Sequence, residues 1–316
     1  MSACACPPKL RRQSDKASLY QEITDQIIAE LEAGRTPWAQ PWAAAKAGID
    51  LPHNASTRRR YSGVNILILW RTVIERGFST QAFLTFRQAL ALGGAVRKGE
   101  RGTMIVYADR FTPEEERRRA DAEGREAGAI AFLKRFTVFN TDQCDGLPDD
   151  VARPPPPIPA GMIAEDAAAL IAATRAEVRI GGDQAFYDPR LDYVQVPRPD
   201  AFFEPINWHR TAFHELAHWS GHRMRLDRDQ TGLFGSAAYG KEELVAEMGG
   251  AFVCASLGVE PTVRHADYLG AWLEILREDN RAIVRAASAA SKAADFLLAF
   301  RKGGSVPEIE GGPEAS

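Results

Sequence analysis

The feature that most constrains the fold of this chain is a histidine cluster in its second half. Residues 214–218 read His-Glu-Leu-Ala-His. Histidines four positions apart share one face of a helix, so both imidazoles can reach one ion, with the glutamate between them alongside. Imidazole is a good zinc ligand, and a catalytic zinc site keeps one position for water, whose proton a nearby glutamate can take. The motif predicts His214 and His218 as ligands of one zinc ion, and Glu215 as a general base.

Two histidines leave the coordination incomplete, so a third ligand is expected elsewhere. A metzincin would have a histidine where this chain has Met224, and His222 would add a third ligand on one straight helix, which cannot surround an ion. The next apolar-faced helix carries Glu243 and Glu247 one turn apart. We expect Glu243 to be the third ligand, as in a gluzincin, and Glu247 to orient a histidine. Exchanged roles, or Glu242 as the ligand, remain open.

A run of four prolines, residues 154–157, divides the chain. Proline cannot continue a helix or lie in a central strand, so residues 148–160 are predicted to be a stiff linker. It would join an N-terminal domain, residues 17–147, to a C-terminal domain, residues 161–301. Two tails without an apolar pattern are predicted to be disordered: residues 1–16 and 302–316.

Hydrophobic periodicity predicts an α+β fold with two different domains. The N-terminal domain is expected to be mixed α/β, and the C-terminal domain a mainly helical, zincin-like (gluzincin) metallopeptidase domain. In the first, helical spacing covers 18–34, 62–77 and 83–94, and paired strands are predicted at 102–111 and 130–140. The Arg/Glu run at 112–129 has no apolar face and is expected to be solvated. The second is expected to have an alanine-rich helix at 163–177, short strands within 178–197, and then helices.

The net charge of −3 conceals a basic segment. Residues 55–110 carry ten basic and three acidic side chains, a net charge of +7, which indicates a local anionic partner. Basic grooves with aromatic platforms bind single strands without reading their sequence, and no duplex-reading motif is evident. A solvated basic face with buried tryptophans is the alternative. The candidate DNA-binding residues are Trp38, Trp42, Arg58, Arg59, Arg60, Tyr61, Asn65, Arg71, Arg97, Lys98 and Arg101.

The sequence also bears on where the protein acts. Its apolar runs are too short to cross a bilayer, and its N-terminus lacks the apolar segment of a secretory signal. The four cysteines form no evident disulfide framework. We expect a cytoplasmic protein with no membrane partner.

Several longer segments resemble ArdC-type antirestriction proteins. In the first half these include "RRYSGVN", "FLTFRQALALGGAVRKGERGTMIVY" and "FNTDQCDGLP", and in the second "WHRTAFHELAHWSGHRMRLDR" and "YGKEELVAEMGGAFVCASLGV". The resemblance extends from about residue 18 to about residue 300, with the segments in the family's order. The departures are the tetraproline spacer and the Arg/Glu run, and neither touches these motifs.

The resemblance implies an N-terminal domain that binds single-stranded DNA and a C-terminal zincin-like metallopeptidase domain. It also implies an origin on a conjugative plasmid or other mobile element, and protection of incoming DNA from host restriction. The implied zinc residues are His214, His218 and Glu243, with Glu215 as the general base. Manganese is an alternative metal. A host protein substrate or a restriction enzyme is a further expected partner.

Two other functions remain open at this point. The protein could be a site-specific regulatory zinc metallopeptidase that cleaves a host protein, with DNA binding serving only to localise it. It could also be a binding protein whose metal is structural.

Overall fold

The computed structural model describes residues 11–301, except residues 41, 43–44, 129, 153–158, 234 and 263–267. Residues 1–10 of the tail predicted over 1–16, the tail predicted over 302–316 and the four prolines lie outside the described residues. Within the remainder, an N-terminal part (residues 11–152) and a C-terminal part (residues 159–301) follow one another along the chain. Together they form the mixed α/β, two-domain fold that the sequence predicts.

The N-terminal part combines helices with two small sheets. Its helices are α1 (Arg11–Glu32), α2 (Val64–Arg76), α3 (Phe86–Ala91), α4 (Glu114–Glu123) and α5 (Asp149–Ala152). Its strands are β1 (His53–Asn54), β2 (Ala82–Leu84), β3 (Ala95–Val96), β4 (Thr103–Phe111), β5 (Ile130–Asn140) and β6 (Cys144–Asp145). Helix α1 begins at Arg11, inside the segment predicted to be a disordered tail, and α5 lies inside the predicted linker. The solvated run at 112–129 contains α4, which connects β4 to β5.

The main N-terminal sheet has the order β1-β2-β5-β4. Strands β4 and β5 pair antiparallel over nine residues each, which confirms the two predicted strands. Strands β3 and β6 form a separate antiparallel pair. The helix predicted over 83–94 is shorter than expected, because Phe83 and Leu84 are extended and fully buried between β1 and β5. Thr85 then caps α3 with a capping box that includes Gln88.

The C-terminal part is mainly helical, with one sheet. Its helices are α6 (Ala160–Ala173), α7 (Pro205–Ser220), α8 (Ala237–Ser256), α9 (Leu269–Glu278) and α10 (Ala282–Leu298). Its strands are β7 (Glu177–Ile180), β8 (Phe186–Asp188) and β9 (Tyr193–Val196), in the order β7-β9-β8. Among the described residues, strand β8 pairs only with β9, so it forms one edge of this sheet. None of the described helices combines the length and apolar character needed to cross a membrane.

The two parts share one hydrophobic core. Trp38 of the N-terminal part packs edge-on against Trp272 of α9, with ring centroids 5.3 Å apart. Trp70 of α2 packs in the same way against Phe252 of α8, at 5.6 Å. Hydrogen bonds also cross the boundary, including one from the Gly63 amide to the Ser291 hydroxyl oxygen at 2.7 Å. The parts therefore pack against each other as one body, which the predicted linker alone does not indicate.

Candidate metal centre

Helix α7 carries the histidine motif, and residues at both of its ends fix where it starts and stops. Pro205 lies in its first turn, where a missing N–H costs nothing, and Gly221 follows its last residue. Phe213, Leu216 and Ala217 are fully buried, so this face of the helix packs into the core. The fixed helix holds His214 and His218 one turn apart, with ring centroids separated by 4.9 Å.

Helix α8 lies unusually close to α7 because of two consecutive glycines. A Cβ atom at Gly250 would lie 3.2 Å from the Cα atom of His214, and one at Gly249 would lie 3.2 Å from the Cβ atom of Ala217. Both distances are tighter than ordinary van der Waals contact, so larger residues would push the helices apart. The close approach brings the α8 carboxylates to the histidines.

Three side chains converge between the helices. The Nε2 atom of His214 lies 3.6 Å from one carboxylate oxygen of Glu243, and the Nε2 atom of His218 lies 3.5 Å from the other. One ligand atom from each of the three residues lies within 4.8 Å of the other two. In a tetrahedral zinc site, ligands about 2.0–2.1 Å from the ion are separated by about 3.4 Å. Two nitrogens and one carboxylate at these distances fit a divalent metal ion.

Glu242 has a different position from its neighbour. Its carboxylate lies 3.3 Å from the Nδ1 atom of His218, on the side of the ring that faces away from the converging Nε2 atoms. Arg228 donates to the Glu242 carboxylate at 2.7 Å and 3.1 Å, and the Gln230 side chain donates to it at 3.1 Å. Glu242 therefore orients His218 instead of joining the ligand group, the supporting role that carboxylates play behind metal-bound histidines.

The sequence predicts Glu242 only as an alternative ligand and does not predict this orienting role. The signal is the adjacent pair Glu242–Glu243, since consecutive helical residues point about 100° apart. Glu247, expected to orient a histidine, is buried and lines a small cavity together with His214. Its orienting role stays a prediction. His222 is not in the convergent group, and its Nδ1 atom accepts the Met224 amide N–H at 3.3 Å.

Glu215 opens onto the same space as the three converging side chains. It is buried and lines a pocket of about 280 Å³ together with His214, His218 and Glu243. Phe186 and Tyr187 of strand β8 form part of the same wall, as does Tyr239 from the first turn of α8. The pocket thus combines a potential metal position, the sheet-edge strand β8 and the carboxylate of Glu215.

The electrostatics of the group favour a cation. Burial alone would lower the pKa of His218, but hydrogen bonds and charge from Glu242 and Glu243 raise it to about 10. Burial alone would raise the pKa of Glu243, whereas the neighbouring His214 and His218 hold it well below its usual range. Burial raises the pKa of Tyr239, with further contributions from Tyr268 and Glu243. Glu243 therefore keeps its negative charge where the ligand atoms converge.

The structure buries the aromatic residues predicted to stack on DNA. Trp38, Trp42 and Tyr61 are 0%, 3% and 5% exposed, so none presents a free ring face to a base. Trp38 packs against Trp272 of α9 and Trp42 against Trp70 of α2, whereas Tyr61 packs against Phe83 of β2. Asn65 is also buried, and its side-chain amide pairs with both the N–H and the C=O of Val106 on the edge strand β4, at 2.9 Å and 2.7 Å.

The predicted cations fall into two groups. Four of them contact acidic side chains: Arg58 with Asp150, Arg60 with Asp50, Arg71 with Glu30 and Glu75, and Arg97 with Glu100 and Asp145. The others, Arg59, Lys98 and Arg101, are exposed and form no side-chain ion pair within the described part of the chain. The structure therefore does not bring all the predicted DNA-binding residues together on one surface.

Two family models match separate parts of the chain. The model described as the N-terminal domain of the anti-restriction factor ArdC matches residues 17–139. The model described as a zincin-like metallopeptidase matches residues 165–289, which include the three converging side chains.

The chain is also similar to proteins of known structure or sequence over most of its length. Crystal structures of the antirestriction protein ArdC from plasmid R388, metal-free and Mn(II)-bound, are 37% and 36% identical, both with a TM-score of 0.73. The matches cover 89% and 90% of this chain and 97% and 98% of theirs. Protein y4eC of Sinorhizobium fredii is 37% identical, over 95% of this chain and 98% of its own length. The DNA primase TraC of Escherichia coli is 37% identical over 91% of this chain, which spans 28% of TraC.

Proposed function

Because the chain belongs to the family of ArdC antirestriction proteins, we propose that it protects the incoming DNA of a mobile element from host restriction by binding it as a single strand. The observation that carries this proposal is the similarity to ArdC of plasmid R388, which extends over both parts of the chain. The net charge of +7 over residues 55–110 supports an anionic partner. The protein would act in the cytoplasm of the cell that receives the DNA.

We assign the metal position to His214, His218 and Glu243, on the distances given above. The donor set of two imidazoles and one carboxylate suits zinc, with manganese as the alternative. When bound, a divalent ion at this position would supply Lewis acidity toward an amide carbonyl. His214 and His218 would bind as neutral imidazoles, with Glu242 holding the Nδ1–H of His218.

Peptide hydrolysis is the chemistry that this pocket suits. Glu215 would accept the proton of the attacking water on its carboxylate and pass it to the leaving amine. The Tyr239 hydroxyl lies at the pocket wall, 3.5 Å from that of Tyr268, and its raised pKa keeps it a hydrogen-bond donor. The three side chains therefore have distinct tasks. Glu215 transfers the proton, Tyr239 donates a hydrogen bond to the substrate's carbonyl oxygen, and Tyr268 positions Tyr239.

The edge strand β8 favours a second candidate function, that of a regulatory peptidase with a specific protein substrate. Its outer edge pairs with no strand among the described residues, and Phe186 and Tyr187 border the pocket. An extended polypeptide can add to such an edge through main-chain hydrogen bonds. In this case the substrate would be a host protein, such as a component of a restriction system, and DNA would serve for localisation.

A conjugation experiment tests the proposed function and separates the two candidates. A plasmid carrying the wild-type gene, the gene for Glu215→Gln, or a deletion is transferred into restricting and non-restricting recipients. We expect the deletion to reduce transfer into the restricting recipient alone. Equal transfer with and without the gene would contradict an antirestriction role. Protection that persists in Glu215→Gln assigns it to DNA binding, whereas its loss, with metal content unchanged, assigns it to the peptidase.

A further inference from the structure

A cleft of about 570 Å³ lies on the N-terminal part, away from the metal pocket. Its walls come from the loop before α2, the start of α3, and strands β4 and β5, and α10 of the C-terminal part closes it through Val284 and Ser288. No aspartate or glutamate lines it among the described residues, whereas Arg59 and Arg60 do. The metal pocket, by contrast, is lined by three glutamates. The two recesses therefore select ligands of opposite charge.

Two aromatic rings meet edge to face in this cleft, with an interplanar angle of 88°. Tyr107 of β4 and Phe136 of β5 project from the same face of the sheet, since the register pairs Tyr107 with Lys134 and Ile105 with Phe136. Their ring centroids are 5.2 Å apart, and both side chains are half-buried. Unlike the buried tryptophans, they keep part of their surface open to the cleft.

Cations lie next to these rings. The Lys134 ammonium group is 5.2 Å from the centroid of the Phe136 ring, and the Lys134 side chain is otherwise exposed. Arg59 lines the cleft from the loop before α2 and forms no ion pair within the described residues. Arg60 is partly neutralised by Asp50, at 3.7 Å. Lys134 and Arg59 are thus the cations available to an incoming anion.

Amide groups complete the site. Asn54 donates to the side-chain oxygen of Gln88 at 3.0 Å, and both residues line the cleft beside Thr85. The side-chain oxygens of both residues already accept main-chain N–H groups, so the Gln88 side-chain NH₂ is the group that can donate to the edge of an unpaired base.

We infer that this cleft is where the protein holds single-stranded DNA, an assignment that rests on the proposed function. Bases stack on Tyr107 and Phe136, while Lys134 and Arg59 contact the phosphates. The site is a recess, and a duplex keeps its bases paired inside, so an unpaired strand fits it and a duplex does not. Since α10 forms one wall, the site is incomplete without the C-terminal part.

Binding of a labelled oligothymidine to the full chain, measured by fluorescence anisotropy over a salt series, tests this inference. Phe136→Ala should weaken binding about 5- to 150-fold, the loss of one stacked base. Phe136→Leu, which retains apolar packing and removes only the ring, should also weaken it. Arg59→Ala should make the slope of log K against log salt shallower by about 0.7. The matched controls are Phe203→Ala, a fully exposed phenylalanine, and Arg118→Ala, an exposed arginine on α4.

The outcomes distinguish the proposed function, which is binding of single-stranded DNA, from the location of the binding site in the cleft. A wild-type chain that does not bind the oligonucleotide overturns the proposed function itself. A wild-type chain that binds, with Phe136→Leu and Arg59→Ala binding equally well, overturns the cleft and leaves the function standing. Ultraviolet cross-linking of an oligonucleotide containing 5-iododeoxyuridine gives an independent reading. Cross-links on the walls of the cleft, which are β4, β5, the loop before α2, the start of α3 and α10, support it, and cross-links confined to other parts of the chain contradict it.

Discussion

Replacing Trp38 by alanine tests whether the two parts of the chain fold as one unit. Trp38 is fully buried and packs against Trp272 of α9, whose indole N–H donates to the Gly240 carbonyl of α8 at 3.1 Å. Three residues after Gly240, α8 carries Glu243. Removing the ring from the N-terminal part should therefore loosen α9 and the start of α8, which belong to the C-terminal part.

The expected magnitude follows from burial. A tryptophan buries about 200 Å² of mostly apolar surface, worth about 25 cal/mol per Å². Measured truncations of buried aromatic residues cost about 3–5 kcal/mol, in agreement with that product. The Trp38 indole N–H has no hydrogen-bond partner among the described residues, so Trp38→Phe gives up packing alone and should cost less than about 2 kcal/mol.

Urea denaturation of the metal-free chain, followed by tryptophan fluorescence and far-UV circular dichroism, measures these differences. We expect both signals to report one shared transition in the wild type, shifted to lower urea in Trp38→Ala. Amide hydrogen exchange should also become faster in α9. Two separate transitions, of which only the one from the N-terminal part moves, would refute a shared core, as would a loss below about 1 kcal/mol.

Three other substitutions test the packing and orientation of the metal centre and the structural role of Asn65. Gly250→Ala should cost about 1–3 kcal/mol and weaken zinc binding, because the added methyl group presses on the α7 backbone; urea denaturation and zinc titration measure both effects. Glu242→Gln should weaken metal affinity about 10- to 100-fold by releasing His218, as measured by competition with a chelating dye. Asn65→Leu should destabilise the fold by about 2–4 kcal/mol in urea, because both buried main-chain groups of Val106 lose their partner.

Matched variants control the first two of these experiments. Gly270→Ala adds a methyl group to helix α9 with no atom of the described residues within 4 Å, so it should leave stability unchanged or increase it. Glu278→Gln removes an exposed carboxylate on the same helix and should not change metal affinity. If Gly250→Ala behaves like Gly270→Ala, or Glu242→Gln like Glu278→Gln, close helix packing and histidine orientation do not control the metal position.

The sequence could predict those residues of the candidate metal site that lie close together on one helix. His214 and His218 share a face because of helix geometry alone, and Phe213 and Leu216 mark a different face of the same helix as the one that packs into the core. Predicting Glu243 as the third ligand also required a choice among the carboxylates on the next helix. Spacing alone could not make that choice, because it depends on how α8 is rotated against α7.

The differences between sequence and structure in the N-terminal part have a common physical cause. Trp38 and Trp42 lie among cations in the sequence, but their surroundings are set by residues far along the chain, as for Trp38 by Trp272. Composition cannot distinguish a stacking platform from a core residue whose cover lies elsewhere. The helix predicted over 83–94 begins late for the same reason, since Phe83 is held extended by its pairing with Asn140 on β5.

Metal analysis of the purified chain after dialysis against zinc or manganese most directly tests the central claim, that α7 and α8 together hold one divalent ion. Wild type and Glu215→Gln should each retain one equivalent, because Glu215 lies beside the convergent group without belonging to it. His214→Ala and Glu243→Ala should lose the ion while remaining folded by circular dichroism. Retention of a full equivalent by Glu243→Ala, or its loss from Glu215→Gln, would contradict the assignment of the three ligands.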